Sequence, residues 1–334
     1  MSESSPCCAG DVRGGITGSV PAADPALDAD PAAGHDPRPL PERAAPQRRG
    51  LLPIAGGAFT MGDHFGEGYP ADGELPLHPV ELSPYLIAPT PVTNAQFATF
   101  VKASGWVTDA EDLGVSAVFH LAYAGQRRHV LHQVASTPWW LAVRGADWRH
   151  PEGPDSDVAT RQNHPVVHVS WRDAQAYCAW SGTVLPTEAQ WEHAARGGLD
   201  GARYPWGDEL TPRGRWRTNI WQGTFPTTNT LDDGHLTTAP VKTYAPNGHG
   251  LHQTSGNVWE WCADWFSPTW YAESPRRDPT GPDAPREGAE LRVMRGGSYL
   301  CHASYCHRYR VAARSSNGPD AAAANIGFRV ANPL

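Results

Sequence analysis

Glycine and proline interrupt this chain so often that it must fold from short elements joined by long ordered loops: 34 glycines and 32 prolines occur in 334 residues. Proline fixes φ and removes a backbone donor, and glycine supplies turn conformations that other residues avoid, so each shortens the element around it. A core built from irregular backbone needs bulky side chains. Fourteen tryptophans supply them as large, flat apolar surfaces. This implies low regular content; the few capped helices and short strands in the sequence make the fold class α+β.

Charge narrows the partners. The formal net charge is -8, and lysine and arginine are scattered rather than gathered into a run that would neutralise phosphates, so no nucleic acid partner is expected. No stretch of about 18 apolar residues occurs, which excludes a membrane-spanning helix. The opening "MSESSPCCAGDVRGG" lacks the basic region and apolar core of a secretory signal. The expected location is cytoplasmic, where six cysteines act as thiols, ligands or catalysts sooner than as structural bridges.

Residues 1–49, with "VPAADPALDADPAAGHDPRPLPERAAP" at their centre and Cys7 and Cys8 near their start, read as a disordered leader that buries too little apolar surface to offset its ordering entropy. Residues 50–334 read as one domain, in which short apolar runs alternate with turn signals. Thr93 caps an expected helix over Asn94–Lys102 that ends at Gly105. Ser170 with Asp173 forms a capping box before a helix carrying Trp171, Ala174, Tyr177 and Cys178 and stopping at Gly182. Thr187 with Gln190 repeats the device for a helix through Arg196. "VVHV", "RVMRGG" and "GFRVA" read as strands.

The stretch "RGGSYLCHASYCHRYR" sets Cys301 and Cys306 five residues apart. In a strand the two face opposite sides, and in a helix they lie roughly 140° apart, so any joint task requires the backbone between them to bend. Buried thiols, a disulfide, half of a zinc site and a functional dithiol all remain open. The glycines before the pair admit unusual backbone angles, and the arginines after it favour the thiolate. Zinc fits poorly, because structural sites pair two close ligands with two distant ones. Two thiolates alone suit a soft monovalent metal such as Cu(I).

The strings "HPVVHVSWRDAQAYCAWSGTVLPTEAQWEHAARGG", "YPWGDELTPRG", "NIWQGTFP", "APNGHGL", "GNVWEWCADW", "RGGSYLCHASYCHRYRVAARSSN" and "NIGFRVA" follow one another in this order. Together, from about Leu51 to Leu334, they resemble the formylglycine-generating enzymes, the sulfatase-modifying family whose fold elaborates the C-type lectin type. "LPTEAQWE" and "GNVWEW" mark the wider superfamily, and the segment around the two cysteines points to the enzyme. The resemblance implies an oxidase that uses Cu(I), dioxygen and a thiol reductant to convert the cysteine of a Cys-x-Pro-x-Arg segment in an unfolded sulfatase polypeptide to formylglycine. It makes Cys301 and Cys306 the copper ligands, beside a channel open to the substrate, and Ser298 a catalytic neighbour. Trp259, His302, Tyr305, Arg314 and Asn325 match positions near the family's active site or substrate groove. From residue type alone, Trp259 reads as core and Arg314 as a buried ion pair.

The resemblance also implies calcium, held by the side chains of Asn219 and Asp233 and the carbonyls of Ile220 and His235. A second set comprises Gln253, the carbonyls of Gly256 and Val258, and Glu260, with Gln253 where the family usually has asparagine. Glu260, flanked by Trp259 and Trp261, needs a cation or hydrogen-bond donors. Disulfides found in vertebrate members are missing: Val330 stands opposite Cys178, and Ala195 and Val311 replace the other pair. Three rivals follow from the same residues. A calcium-dependent lectin-like binding module needs no redox centre. A thiol-histidine iron oxygenase needs an added helical domain. A dithiol exchanger normally uses Cys-x-x-Cys at a helix N-terminus.

Overall fold

The computed structural model describes residues 38–334; Cys7, Cys8 and the rest of the leader up to residue 37 lie outside the described residues. Among the described residues four α-helices form, α1 (Asn94–Ser104), α2 (Asp109–Leu113), α3 (Trp171–Ser181) and α4 (Glu188–Arg196). Each begins with a complete capping box, from Thr93, Thr108, Ser170 and Thr187, and ends on a left-handed glycine. The expected helices are therefore present, α1 running two residues further than expected.

The strands are short: β1 (Leu52–Ile54), β2 (Gly57–Met61), β3 (His78–Leu82), β4 (Tyr85–Ile87), β5 (Val115–Phe119), β6 (Val130–Gln133), β7 (Trp140–Arg144), β8 (Gly223–Thr224), β9 (Thr228–Asn229), β10 (Trp259–Trp265), β11 (Arg292–Arg295), β12 (Arg314–Asn317), β13 (Ile326–Phe328) and β14 (Ala331–Pro333). They build a four-stranded sheet ordered β12-β11-β10-β13, three-stranded sheets β1-β4-β14 and β5-β7-β6, and two hairpins. In the four-stranded sheet β13 runs parallel to β10, and the other pairings are antiparallel. The mixed α+β architecture is as expected from the capped helices and short apolar runs, and the few regular residues from the glycine and proline content.

Tryptophans hold the layers together. Trp140, Trp191, Trp221, Trp259 and Trp261 are fully buried, and the main apolar cluster joins α1, α3, β5, β10 and β13 to the segment that carries Cys301 and Cys306. "VVHV" is not a ladder strand. His168 takes a left-handed conformation with φ 57°, its Nε2 donates to the Pro151 carbonyl at 2.8 Å and its Nδ1 lies 2.7 Å from Ser116 Oγ, so tertiary hydrogen bonds hold the segment out of a strand ladder.

Residues 38–49 do not behave as a leader. The amides of Ala44 and Gln47 donate to the carbonyls of Ala179 and Gly182, both at 2.9 Å, and Asn332 Nδ2 donates to the Gln47 carbonyl at 2.7 Å. The last carbonyls of α3 lack partners within the helix, and this segment supplies them. At Gly182 a Cβ would lie 2.0 Å from the Ala45 carbonyl oxygen, so glycine is needed for the close approach. The folded domain thus begins before residue 50.

Candidate functional site

The backbone bend between Cys301 and Cys306 has a clear cause. Gly296 and Gly297 both have positive φ, and a Cβ on Gly297 would lie 2.8 Å from the Arg308 carbonyl oxygen. The chain entering the segment therefore runs against the chain leaving it, closing a loop over residues 298–307. Within the loop two turns form, Cys301 N–H donating to the Ser298 carbonyl at 2.9 Å and Cys306 N–H to the His302 carbonyl at 2.7 Å.

These turns bring the two sulfurs to 3.1 Å. A disulfide requires about 2.05 Å, so the pair is unbridged. The spacing leaves the two thiols side by side, where one ion could be held by both. The donor set, two adjacent thiols, fits a soft metal of low coordination number. His302 Nδ1 is engaged by Ser304, accepting its N–H at 3.2 Å and lying 2.8 Å from its hydroxyl. Among the described residues no group of three or more His, Cys, Asp and Glu could hold a metal ion.

The sulfurs do not open to solvent as expected: they belong to residues only 1% and 2% exposed. They lie beneath a roof of half-exposed His302 and Tyr305 and exposed Ala303 and Ser304. Ser298 is buried beside Cys301: its amide donates to Cys301 Sγ at 3.4 Å, and its Oγ accepts from Asn325 Nδ2 at 3.0 Å and from the Leu300 amide at 3.3 Å. Asn325 thus holds Ser298 rather than facing a groove. Tyr305 stacks on Phe225, with ring centroids 4.3 Å apart, and meets the edge of Trp139 at 4.7 Å. This half-buried aromatic shelf is the part of the site that sequence reasoning missed. Trp139 and Phe225 are far from the cysteines in sequence, and an aromatic residue in a turn-rich stretch gives no sign of facing solvent.

Two expected substrate contacts are structural instead. Arg314 is fully buried and donates from Nε and Nη2 to both oxygens of Glu188, at 2.8 and 2.7 Å, which leaves its fork facing α4. Trp259 is fully buried in the main cluster, its amide donating to the Asn325 carbonyl at 2.9 Å. It supports the chain that holds Ser298 without reaching the surface.

The two oxygen sets differ. Asp233 accepts from the Ile220 amide at 3.2 Å and the His235 amide at 3.0 Å, so the loop folds around its carboxylate, and burial pushes that carboxyl above its ordinary range. Asn219 is fully buried, with Nδ2 donating to the Thr237 carbonyl at 2.8 Å, while its Oδ1 accepts no hydrogen bond. An orphaned buried oxygen on Asn219 and a half-buried carboxylate bonded to the amide of the next residue fit a hard cation. In the second set, Glu260 accepts from Arg329 Nη2 at 2.7 Å and Trp191 Nε1 at 2.7 Å, as well as from Arg329 Nε. Gln253 is spent on the Pro240 carbonyl and Asn257. That set does not fit a cation, because Arg329 already neutralises the carboxylate.

Cys178 and Cys262 are buried and unbridged. Burial pushes the Cys178 thiol up to about 12, which leaves it inert at neutral pH. Val330 shares the apolar cluster of Cys178, and Ala195 and Val311 share that of Cys262. No helix among the described residues is long and apolar enough to cross a membrane.

Comparison with known proteins places this geometry. The sulfatase-modifying factor enzyme 1-like domain matches residues 37–334. The formylglycine-generating enzyme of Streptomyces coelicolor is 63% identical over 314 residues, covering 94% of this chain and 96% of that protein. The enzyme of the same name from Mus musculus is 49% identical over 282 residues, covering 84% and 74%. A mouse protein called inactive C-alpha-formylglycine-generating enzyme 2 is 41% identical over 285 residues, covering 84% and 85%. Among solved structures, PvdO from Pseudomonas aeruginosa aligns with a TM-score of 0.60 at 23% identity, over 90% of this chain and all of that one, and so shares the fold. The match from residue 37 onward agrees with the docked segment that precedes residue 50, and the chain belongs to the sulfatase-modifying factor enzyme 1-like family.

Proposed function

We propose that this protein converts a cysteine in a Cys-x-Pro-x-Arg segment of a sulfatase polypeptide to formylglycine, using dioxygen. The observation that carries the reading is the unbridged pair of Cys301 and Cys306, two sulfurs 3.1 Å apart in a glycine-closed loop, within a chain 63% identical to a formylglycine-generating enzyme. The exchange balances when the substrate CH2–SH group, dioxygen and two reductant thiols become an aldehyde, hydrogen sulfide, a disulfide and water. Substrate Cβ gives up two electrons and the reductant two.

Cys301 and Cys306 would hold copper, which when bound supplies a soft one-electron centre for dioxygen chemistry. The protein's own part is to exclude water and to present polar groups at fixed positions. The sulfurs lie in a water-poor interior, where electrostatic interactions are stronger than in bulk solvent. With Asn325 and the Leu300 amide already donating to its oxygen, Ser298 retains one proton to donate beside Cys301. An extended segment that reaches the sulfurs crosses the roof of His302 and Tyr305 and the shelf of Trp139 and Phe225, whose ring faces suit a proline. Asn219, Ile220, Asp233 and His235 would hold calcium. It would brace Cys301, since the Trp221 amide, one residue beyond Ile220, donates to the Cys301 carbonyl at 3.0 Å. A reducing cytoplasm suits a chain whose four described cysteines are thiols.

The test is incubation with Cu(I), a thiol reductant and a Cys-x-Pro-x-Arg peptide under air. Mass spectrometry should show the loss expected when a thiol becomes an aldehyde. Cys301→Ser and Cys306→Ser should each abolish both turnover and stoichiometric copper binding. An unchanged peptide mass with copper-loaded protein would sink the oxidase reading and favour the lectin-like binding module.

A further inference from the structure

Cys301 and Cys306 are placed by different parts of the molecule. Cys301 is held by its own turn and by Trp221, whereas Cys306 is gripped by a loop more than two hundred residues away in sequence. Tyr69 Oη lies 3.5 Å from the Tyr305 carbonyl, to which it donates, and accepts the His307 amide at 3.3 Å, so one hydroxyl brackets Cys306 on both sides. Asp72 accepts from Arg308 Nε and, at 3.0 Å, from Nη2. The Tyr69 ring lies under the same guanidinium, 4.3 Å from its carbon. With the Nε–Nη2 edge committed to Asp72, the remaining edge turns inward, and Nη1 lies 3.9 Å from Cys306 Sγ.

Two thiolates on a monovalent metal carry one net negative charge. Here that charge would form beside residues 1% and 2% exposed, where an uncompensated ion is strongly disfavoured. A guanidinium edge aimed at one sulfur offsets that charge with a hydrogen bond to an anionic acceptor. We propose that Arg308, oriented by Asp72 and Tyr69, is the positioning residue that donates to Cys306 and stabilises the charge of the metal-loaded cysteine pair. The inference rests on the copper reading above and adds to it a role for a loop from the N-terminal half of the domain.

The experiment is a competition titration of the full-length protein with Cu(I) against a colorimetric chelator, with thermal unfolding measured on each variant. Outer-shell partners of a metal ligand typically contribute about 10–100-fold to affinity, and Arg308→Lys, which keeps a cation for Asp72 but loses the second edge, should lower Cu(I) affinity within that range. The double variant Arg308→Gln with Asp72→Asn removes both charges, so no unpaired ion is left buried, and should show the same affinity loss with its unfolding temperature close to that of the unaltered protein. Copper affinity within twofold of the unaltered protein in either folded variant would overturn the role of Arg308 while leaving the copper reading intact. Failure of the unaltered protein to bind Cu(I) would overturn both.

Discussion

Two oxygen-rich segments of this protein looked alike as candidate cation sites, yet the structure treats them in opposite ways. Around Glu260 the carboxylate is closed off by Arg329 and Trp191, and the neighbouring amide of Gln253 is spent on the Pro240 carbonyl and Asn257. Around Asp233 backbone amides fold the loop about the carboxylate, and the Asn219 oxygen is left without a donor. Similar oxygen-rich sequences thus differ in whether the fold itself supplies the counter-charge. The lesson is to ask which valences remain unmet after folding, because only those call for an ion.

The sharpest way to break the contrast is to remove the internal counter-ion. Arg329→Met leaves Glu260 as an unpaired buried carboxylate, and breaking one side of such a pair typically costs about 3–5 kcal/mol. Urea unfolding should show that loss, and added calcium should not restore it. Restoration by calcium would mean that the Glu260 set is a cation site after all and that Arg329 merely occupies it.

The other loop should respond to calcium directly. At a calcium concentration about 100-fold above its dissociation constant, a site confined to the folded state adds about 2.7 kcal/mol of stability. The unaltered protein should therefore melt at a higher temperature with calcium than with chelator. Asp233→Asn should abolish the difference, and Gln253→Ala should preserve it. A chelator effect that survives Asp233→Asn would place the ion elsewhere.

How far the sequence disclosed these arrangements depends on the distance over which each is decided. Helix starts were readable at Thr93, Ser170 and Thr187, because a capping box is complete within four residues. The same signature at Thr108 and Glu111 carries little weight in sequence, since α2 is one turn of mostly acidic residues with no apolar period beside the cap. Residue character also showed that Glu260 needs a partner, but nothing local could name Arg329, 69 residues away. "VVHV" misled for a related reason: its β-branched residues suit a strand, and His168 instead bonds to Ser116 and Pro151. The cysteine pair was legible as a pair and its bend was required by spacing. That its sulfurs would be roofed over, and that Arg308 would be aimed by Asp72, depended on contacts between segments remote in sequence.

A smaller effect extends the comparison to a group whose surroundings satisfy one protonation state alone. His193, on α4, is held well below its ordinary value of 6.5, at about 4, by burial first and then by His249 and Arg196, with Asp200 opposing. Its Nδ1 lies 3.1 Å from Tyr85 Oη. The unfolded chain binds a proton near pH 6.5 and the folded one does not, so the stabilisation from a neutral His193 is present above that value and is lost as pH falls from about 6.5 to about 4. Buried Asp173 and Asp264, both raised to about 7, act in the opposite sense, because the folded protein takes up their protons first as pH falls through 7. Net acid sensitivity of the unaltered protein therefore mixes the two signs. His193→Gln separates them, since both carboxyls remain: between about pH 7 and pH 5 its stability should fall less, or rise more, than that of the unaltered protein. Parallel pH profiles for the two proteins would show that His193 tolerates its proton in the folded state, and that its burial carries no charge selectivity.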